Sequence, residues 1–141
     1  MKRSAVCLTL LYLLLALPVW AAGETAQIGG QSFVVVQQSP LAQVTTDPAE
    51  VNQLVIEGYQ TVGLVAHRDL AGAAFYSLRE GSVVPVAGVR YEITRVTVTG
   101  SAFGMSRRFF RQKDKIVLIT CTTVNGDPVG GRRVVMGVRL P

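Results

Sequence analysis

The sequence predicts a mainly β domain, a closed barrel or a sandwich of about seven short strands with one or two small helices. Short β-branched and apolar runs recur along the chain, separated by clusters of glycine, proline and asparagine. Beyond the first 21 residues, helical signals are confined to two stretches, 47–59 and 70–78. Neither an internal repeat nor a low-complexity tract points to a solenoid or a disordered array.

The chain opens on an export signal. Met1-Lys2-Arg3 is a short positive region, and Leu8 to Val19 is an apolar stretch. That stretch falls short of the roughly 20 residues a bilayer span requires. Pro18 breaks its helix, and Val19-Trp20-Ala21 supplies small residues where a signal peptidase reads, which sets the cut after Ala21 or else Ala22. The competing reading is a retained membrane anchor. The division expected is a signal peptide over 1–21, a flexible leader over 22–31 and one domain over 32–141, in an exported, extracytoplasmic protein. About 120 residues remain after cleavage, enough for a single core. Loss of Lys2 and Arg3 takes the basic count from 14 to 12 against 9 acidic residues, a net charge of +3. So mild a charge excludes an argument for nucleic acid. Arg107-Arg108-Phe109-Phe110-Arg111-Gln112-Lys113 concentrates four cations. Such a run reads first as a charged edge guarded against aggregation, and second as a weak contact with an anionic wall polymer or membrane.

Element by element, Ser32 to Gln37 is a first strand, bounded by Gly29-Gly30 and Ser39-Pro40. Asp47-Pro48-Ala49-Glu50 reads as a helix start, with Asp47 as N-cap and Pro48 in the first helical position. Val51, Leu54, Val55 and Tyr59 continue it as an apolar stripe, with Gly58 to end it. Thr61 to Ala66 is a strand, and Leu70 to Leu78 a short helical turn closed by Gly81. Val83 to Val86 is a further strand. Val89 to Thr99 alternates with one slip of register, the mark of a bulge. Lys115 to Cys121 and Arg133 to Leu140 complete the set, joined by a mobile turn over Asn125-Gly126-Asp127-Pro128 and Gly130-Gly131.

Two of these strands end in reactive groups. With Cys7 inside the signal segment, Cys121 is the mature chain's one cysteine, without an internal disulfide partner. It closes the run Ile116-Val117-Leu118-Ile119-Thr120-Cys121, and the single histidine, His67, closes Val62-Gly63-Leu64-Val65-Ala66-His67. Taken one at a time, each has an ordinary reading: a small buried thiol, a structural histidine, and, for Arg132-Arg133, surface charge. Together they suit nucleophilic catalysis. A free thiol is mostly protonated at neutral pH, so a base must take its proton or a cation must favour the thiolate. A fixed guanidinium also holds an oxyanion as it forms.

A family resemblance joins the three. Gly63-Leu64-Val65-Ala66-His67-Arg68-Asp69 followed by Phe75-Tyr76-Ser77-Leu78 resembles the histidine motif of sortases, and Leu118-Ile119-Thr120-Cys121 resembles their L-x-T-C motif. Arg132-Arg133-Val134-Val135-Met136-Gly137 is similar to their closing strand, where arginine is followed five positions on by a small residue. That register selects Arg132 over Arg133. The resemblance runs from about Gly63 to Leu140. It implies a closed sortase-type β-barrel of seven to eight strands and cysteine transpeptidation. On that implication Cys121 is the nucleophile, His67 the general acid and base, and Arg132 the clamp on substrate and oxyanion, with Thr120 helping to line the oxyanion site. It further implies two partners, a peptide sorting signal of a surface protein and an amine acceptor such as a wall precursor or pilin lysine.

No cofactor is implied, and no carboxylate cluster argues for a metal. Two other readings compete. A secreted β-barrel binding module, or a sortase relic without turnover, would use Cys121 only as a core thiol. An L,D-transpeptidase-like wall enzyme also uses Cys, His and Arg, but its S-x-G-C-x-R type of cysteine loop has no counterpart around Thr120-Cys121-Thr122-Thr123.

Overall fold

The computed structural model describes residues 23–38, 44–54, 60–100 and 112–141. Eight strands close into one barrel: β1 (Thr25–Ile28), β2 (Gln31–Gln38), β3 (Glu50–Leu54), β4 (Val62–Val65), β5 (Val83–Val86), β6 (Val89–Gly100), β7 (Lys115–Val124) and β8 (Asp127–Arg139). A 3-10 helix, Ala71–Ser77, lies between β4 and β5. Around the barrel the order is β1-β2-β3-β4-β7-β8-β6-β5, closed by the pairing of Ala26 on β1 with Val86 on β5. The closed barrel with few helices is therefore the architecture, and the sandwich is excluded.

Local chemistry explains the turns. Three hairpins turn on two residues with positive φ: Gly29-Gly30 (59° and 78°), Ala87-Gly88 (50° and 78°) and Asn125-Gly126 (52° and 80°). Paired positive φ values are what the tight primed hairpin turns require, because their twist matches that of the strands. The predicted slip in the long alternating strand is present as a register shift between Ile93 and Arg95 of β6 against β8.

Three expectations need correction. The flexible leader contains β1, whose Ala26 and Ile28 are fully buried and which pairs with β2 through Thr25↔Val34 to Ile28↔Gln31. Small polar residues hid a strand whose alternation is only four residues long. The helix expected from Asp47 is instead a turn leading into β3. Asp47 Oδ1 accepts from the Ala49 amide at 2.8 Å, a local bond that serves a turn as well as a helix cap. Beyond it Val51 and Asn52 pair in parallel with Val35 and Val36 of β2. Residues 55–59, where the helical stripe was to end, lie outside the described residues, as do the expected signal peptide (1–21) and positions 107–111 of the basic run. The mobile turn shrinks to Asn125-Gly126, since β8 begins at Asp127.

Alternation divides the apolar residues between two faces. Ile28, Phe33, Val51, Leu64, Ile116, Leu118 and Val135 pack inside the barrel with Phe75, which the 3-10 helix drives into one end. Val117, Ile119 and Val134 form a second buried cluster with Val65 and Met136 on the outer side of the same strands. Gly137 has its place for lack of space: a Cβ there would lie 2.6 Å from the Glu92 carbonyl and 3.0 Å from Ile116 Cγ2.

Candidate active site

The barrel brings the three predicted groups to one level of three neighbouring strands. β4 and β7 run parallel, with Val65 opposite Ile119. The Ala66 amide extends this ladder to the Ile119 carbonyl at 3.3 Å, so His67 and Cys121, each two residues further on, arrive together. Across the other edge of β7, Cys121 is the antiparallel partner of Arg132. Neighbouring strands lie about 4.8 Å apart, so the groups span adjacent rows of one wall.

Alternation also fixes which face they share. Cys121 stands on the side of Val117 and Ile119, and Arg132 on the side of Val134 and Met136, the outer face. Cys121 is a half-buried free thiol and His67 is exposed. His67 Nε2 lies 3.2 Å from the Val44 carbonyl. A carbonyl only accepts, so the tautomer that makes this bond carries its proton on Nε2 and keeps Nδ1 as an acceptor. Arg132 Nη1 donates to the carbonyls of Val129 (3.0 Å) and Gly131 (2.9 Å). The first of these is free of the ladder because β8 bulges there: Thr122 pairs with Gly131 but Val124 with Asp127.

Thr120 sits differently from its expected place. Its side chain is 2% exposed and points inward, where Oγ1 donates to the Ala66 carbonyl at 2.8 Å. Adjacent strand residues face opposite ways, so the Thr120 hydroxyl cannot line the face that carries the Cys121 thiol. It joins β7 to the end of β4. Arg133, also inward, is the arginine that sequence register set aside. It donates to the carbonyls of Phe75 (3.4 Å) and Leu78 (3.0 Å), and its guanidinium lies 5.2 Å from the Tyr76 ring centroid.

Two neighbours of the site went unassigned in the sequence. Arg68 Nη1 donates to Thr123 Oγ1 and to the Pro128 carbonyl, both at 2.9 Å, and its Nε meets Asp69 Oδ1 at 3.3 Å. The Tyr76 hydroxyl donates to the Cys121 carbonyl at 2.6 Å. Asp69 apart, their partners lie 45 to 60 residues away along the chain, so no local spacing could show those bonds. Together with Ala73 and Thr122 they line an open cleft beside β7. Among the described residues no group of three or more His, Cys, Asp or Glu could hold a metal ion.

No family model matches the chain, and no curated protein matches it either. Solved structures do. Listeria monocytogenes sortase A superposes with a TM-score of 0.64 at 15% identity, over 86% of this chain and 88% of that one. A Clostridium perfringens sortase D5 transpeptidase gives 0.60 at 16% identity, over 85% and 79%. Sortase C-1 from Actinomyces oris gives 0.61 at 21% identity, over 84% and 71%. At such identities the likeness speaks for architecture, and on architecture it is consistent across most of the chain: this protein has the sortase-like β-barrel fold.

Proposed function

We propose that the protein is an exported cysteine transpeptidase of sortase type. The observation that carries this reading is the level shared by Cys121 and Arg132, direct cross-strand partners, with His67 two residues beyond the end of the adjacent strand. In the proposed reaction the Cys121 sulfur attacks the carbonyl carbon of a peptide sorting signal. His67 takes the thiol proton and gives a proton to the departing amine, while Arg132 holds the oxyanion. Collapse of the tetrahedral intermediate breaks the C–N bond and leaves a thioester on Cys121. An amine of a wall precursor or pilin lysine then attacks the thioester; His67 takes the proton the amine loses, a new amide forms, and the C–S bond breaks to release the Cys121 thiolate.

Each group suits its role. The half-buried thiol is free, the Nδ1 lone pair of the stated His67 tautomer can accept a proton, and a guanidinium offers two prongs to one oxygen. Cys121 and Arg132 sit on strands, which hold a side chain more rigidly than a loop does. A second reading, a barrel that binds without turnover, draws on the bonds Arg132 makes to its own hairpin, from which it must swing to meet a substrate.

Mass spectrometry of the protein incubated with a library of L-P-x-T-G-like peptides, with and without amine, tests the proposal. The expected result is an acyl mass on Cys121 that passes to added amine. Cys121→Ala should abolish transfer with little loss of fold. Arg132→Lys should reduce it at least about a hundredfold, the scale of losing one oxyanion donor. Near-normal transfer in either variant would remove that residue from the mechanism. A protein that never acylates, and whose Cys121 alkylates as slowly as an ordinary thiol whether or not His67 is replaced by alanine, is the binding module.

A further inference from the structure

β4 leaves the barrel wall just before the candidate site. Its last amide bond to β7 runs from Ala66 to the Ile119 carbonyl. A parallel ladder repeats every second residue, so the next donor to β7 would be the Arg68 amide, reaching the Cys121 carbonyl. The chain turns instead. The His67 carbonyl accepts from the amides of Leu70 at 3.1 Å and Gly72 at 2.9 Å, and the 3-10 helix begins. At the Cys121 carbonyl the bond from the Tyr76 hydroxyl, 2.6 Å long, stands where the ladder amide would have been.

Other side chains continue the same seam. Thr120 Oγ1 reaches back from β7 to the Ala66 carbonyl. Arg68 crosses from the residue next to His67 to Thr123 and to the bulge carbonyl of Pro128. Pro128 has no amide hydrogen, and the bulge frees its carbonyl from the ladder, so a guanidinium finds an acceptor there. Tyr76 is itself held from behind, with Arg133 near its ring and bonded to the carbonyls of Phe75 and Leu78 on either side.

We infer that Tyr76 and Arg68 are positioning residues, a side-chain seam that keeps the His67 loop in register with Cys121 after backbone pairing between their strands has ended. The inference rests on the proposed pairing of His67 with Cys121. His67 is exposed, and among the described residues its side chain has one hydrogen bond, to Val44, which does little to fix an imidazole. Catalytic groups must keep their geometry to within about 0.5 Å, and such precision comes from the shell behind them. Tyr76 donates its proton to a main-chain carbonyl, and Arg68 spends Nη1 on the hairpin, so both act through the groups they hold.

Two measurements on the full chain test this: amide hydrogen exchange over residues 67–72, and the rate of Cys121 alkylation by iodoacetamide. Each is made on the wild type, Tyr76→Phe, Arg68→Ala and Arg68→Lys, and again with His67→Ala added. Tyr76→Phe removes one hydroxyl from a 40% exposed side chain and leaves the core intact. We expect both Tyr76→Phe and Arg68→Ala to speed exchange of the 67–72 amides. Each should also slow alkylation about tenfold, the rate equivalent of one hydrogen bond. Arg68→Lys, whose ammonium ends one bond short of Nη1, should recover only part. Added to His67→Ala, none of them should slow alkylation further by more than about twofold, because the coupling runs through the imidazole. Unchanged exchange overturns the seam. Equal slowing with and without His67 overturns the positioning role and makes the bonds structural only. The proposed function fails separately, by a His67→Ala protein that alkylates at the wild-type rate, and that outcome overturns the positioning role with it.

Discussion

At Gly72 the site's tolerance comes down to a single atom. Its amide closes the turn after His67, and a Cβ built there would meet the Thr120 hydroxyl and lie 2.5 Å from the His67 carbonyl oxygen. The oxygen belongs to the backbone of the candidate catalytic residue, so relief requires the loop itself to move. Gly72→Ala should therefore cost about 1 to 3 kcal/mol, the usual range for forcing an atom into a packed place. Alkylation of Cys121 should slow with it, since the displaced carbonyl is that of His67. Thermal melting and iodoacetamide kinetics measure the two effects, and a variant with wild-type values in both would show that the loop has room the structure denies. Cys121 and His67 could be singled out as candidates because cysteine and histidine are scarce in the sequence and each ends an apolar run, whereas Arg132, one of many arginines, was singled out only by the register of a motif. The inward turn of Thr120 followed equally from alternation, yet a motif suggested a role that alternation forbids. The roles of Tyr76 and Arg68 were not legible, because the groups they hold, two main-chain carbonyls and the Thr123 hydroxyl, are brought near only by the barrel.

Among the elements, the β7–β8 hairpin does the most for the site, pairing Cys121 with Arg132 and offering its bulge carbonyls to two arginines. Its turn is set by Gly126 at φ 80°, where an added Cβ would meet nothing within 4 Å. Substitution there thus isolates backbone strain from crowding. A left-handed conformation costs an L-residue about 1 to 2 kcal/mol, and a stiffer unfolded chain returns part of that. Gly126→Ala should destabilise by about 1 kcal/mol in urea titration, with an unchanged slope. No loss would mean that the turn does not hold the positive φ that fixes the hairpin. The Asn-Gly pair made this turn readable in advance. The stretch from Asp47 was misread because an aspartate before proline serves a helix cap and a tight turn by the same bond. What decided between them was β2, whose paired residues lie 16 positions earlier and which offered β3 a parallel edge. The bulged strand and the 3-10 helix could be read from local pattern. The short β1 could not, because its burial is a gift of the closed barrel rather than of its own composition.

For the molecule as a whole, closure makes the interior a place of low dielectric, and Tyr91 reports on it. The residue lies on β6 between Val84 of β5 and Arg139 of β8, and is 5% exposed. Burial pushes its phenol above the ordinary tyrosine value; the Asp114 carboxylate adds to this, and the Arg139 guanidinium, itself 3.6 Å from Asp114, works against it. A raised value means that the folded protein holds the phenolic proton more tightly than the unfolded chain does. Tyr91 thus contributes its full share of stability below the unfolded value, near pH 10, and loses it as pH climbs from there through the folded value. The stability difference between wild type and Tyr91→Phe should be flat from pH 7 to 9. Above pH 10 it should shift steadily against the wild type, because phenylalanine has no proton to lose. Urea titrations of the two proteins at matched pH measure it, and the many surface groups that also titrate there cancel in the comparison. Curves that stay parallel through pH 11 would mean that the phenol ionises as freely in the folded state as in the unfolded one. A ring so exposed to water could not lie inside a wall closed on both edges of β6, so the pairing that joins β5, β6 and β8 into the barrel would have to be redrawn.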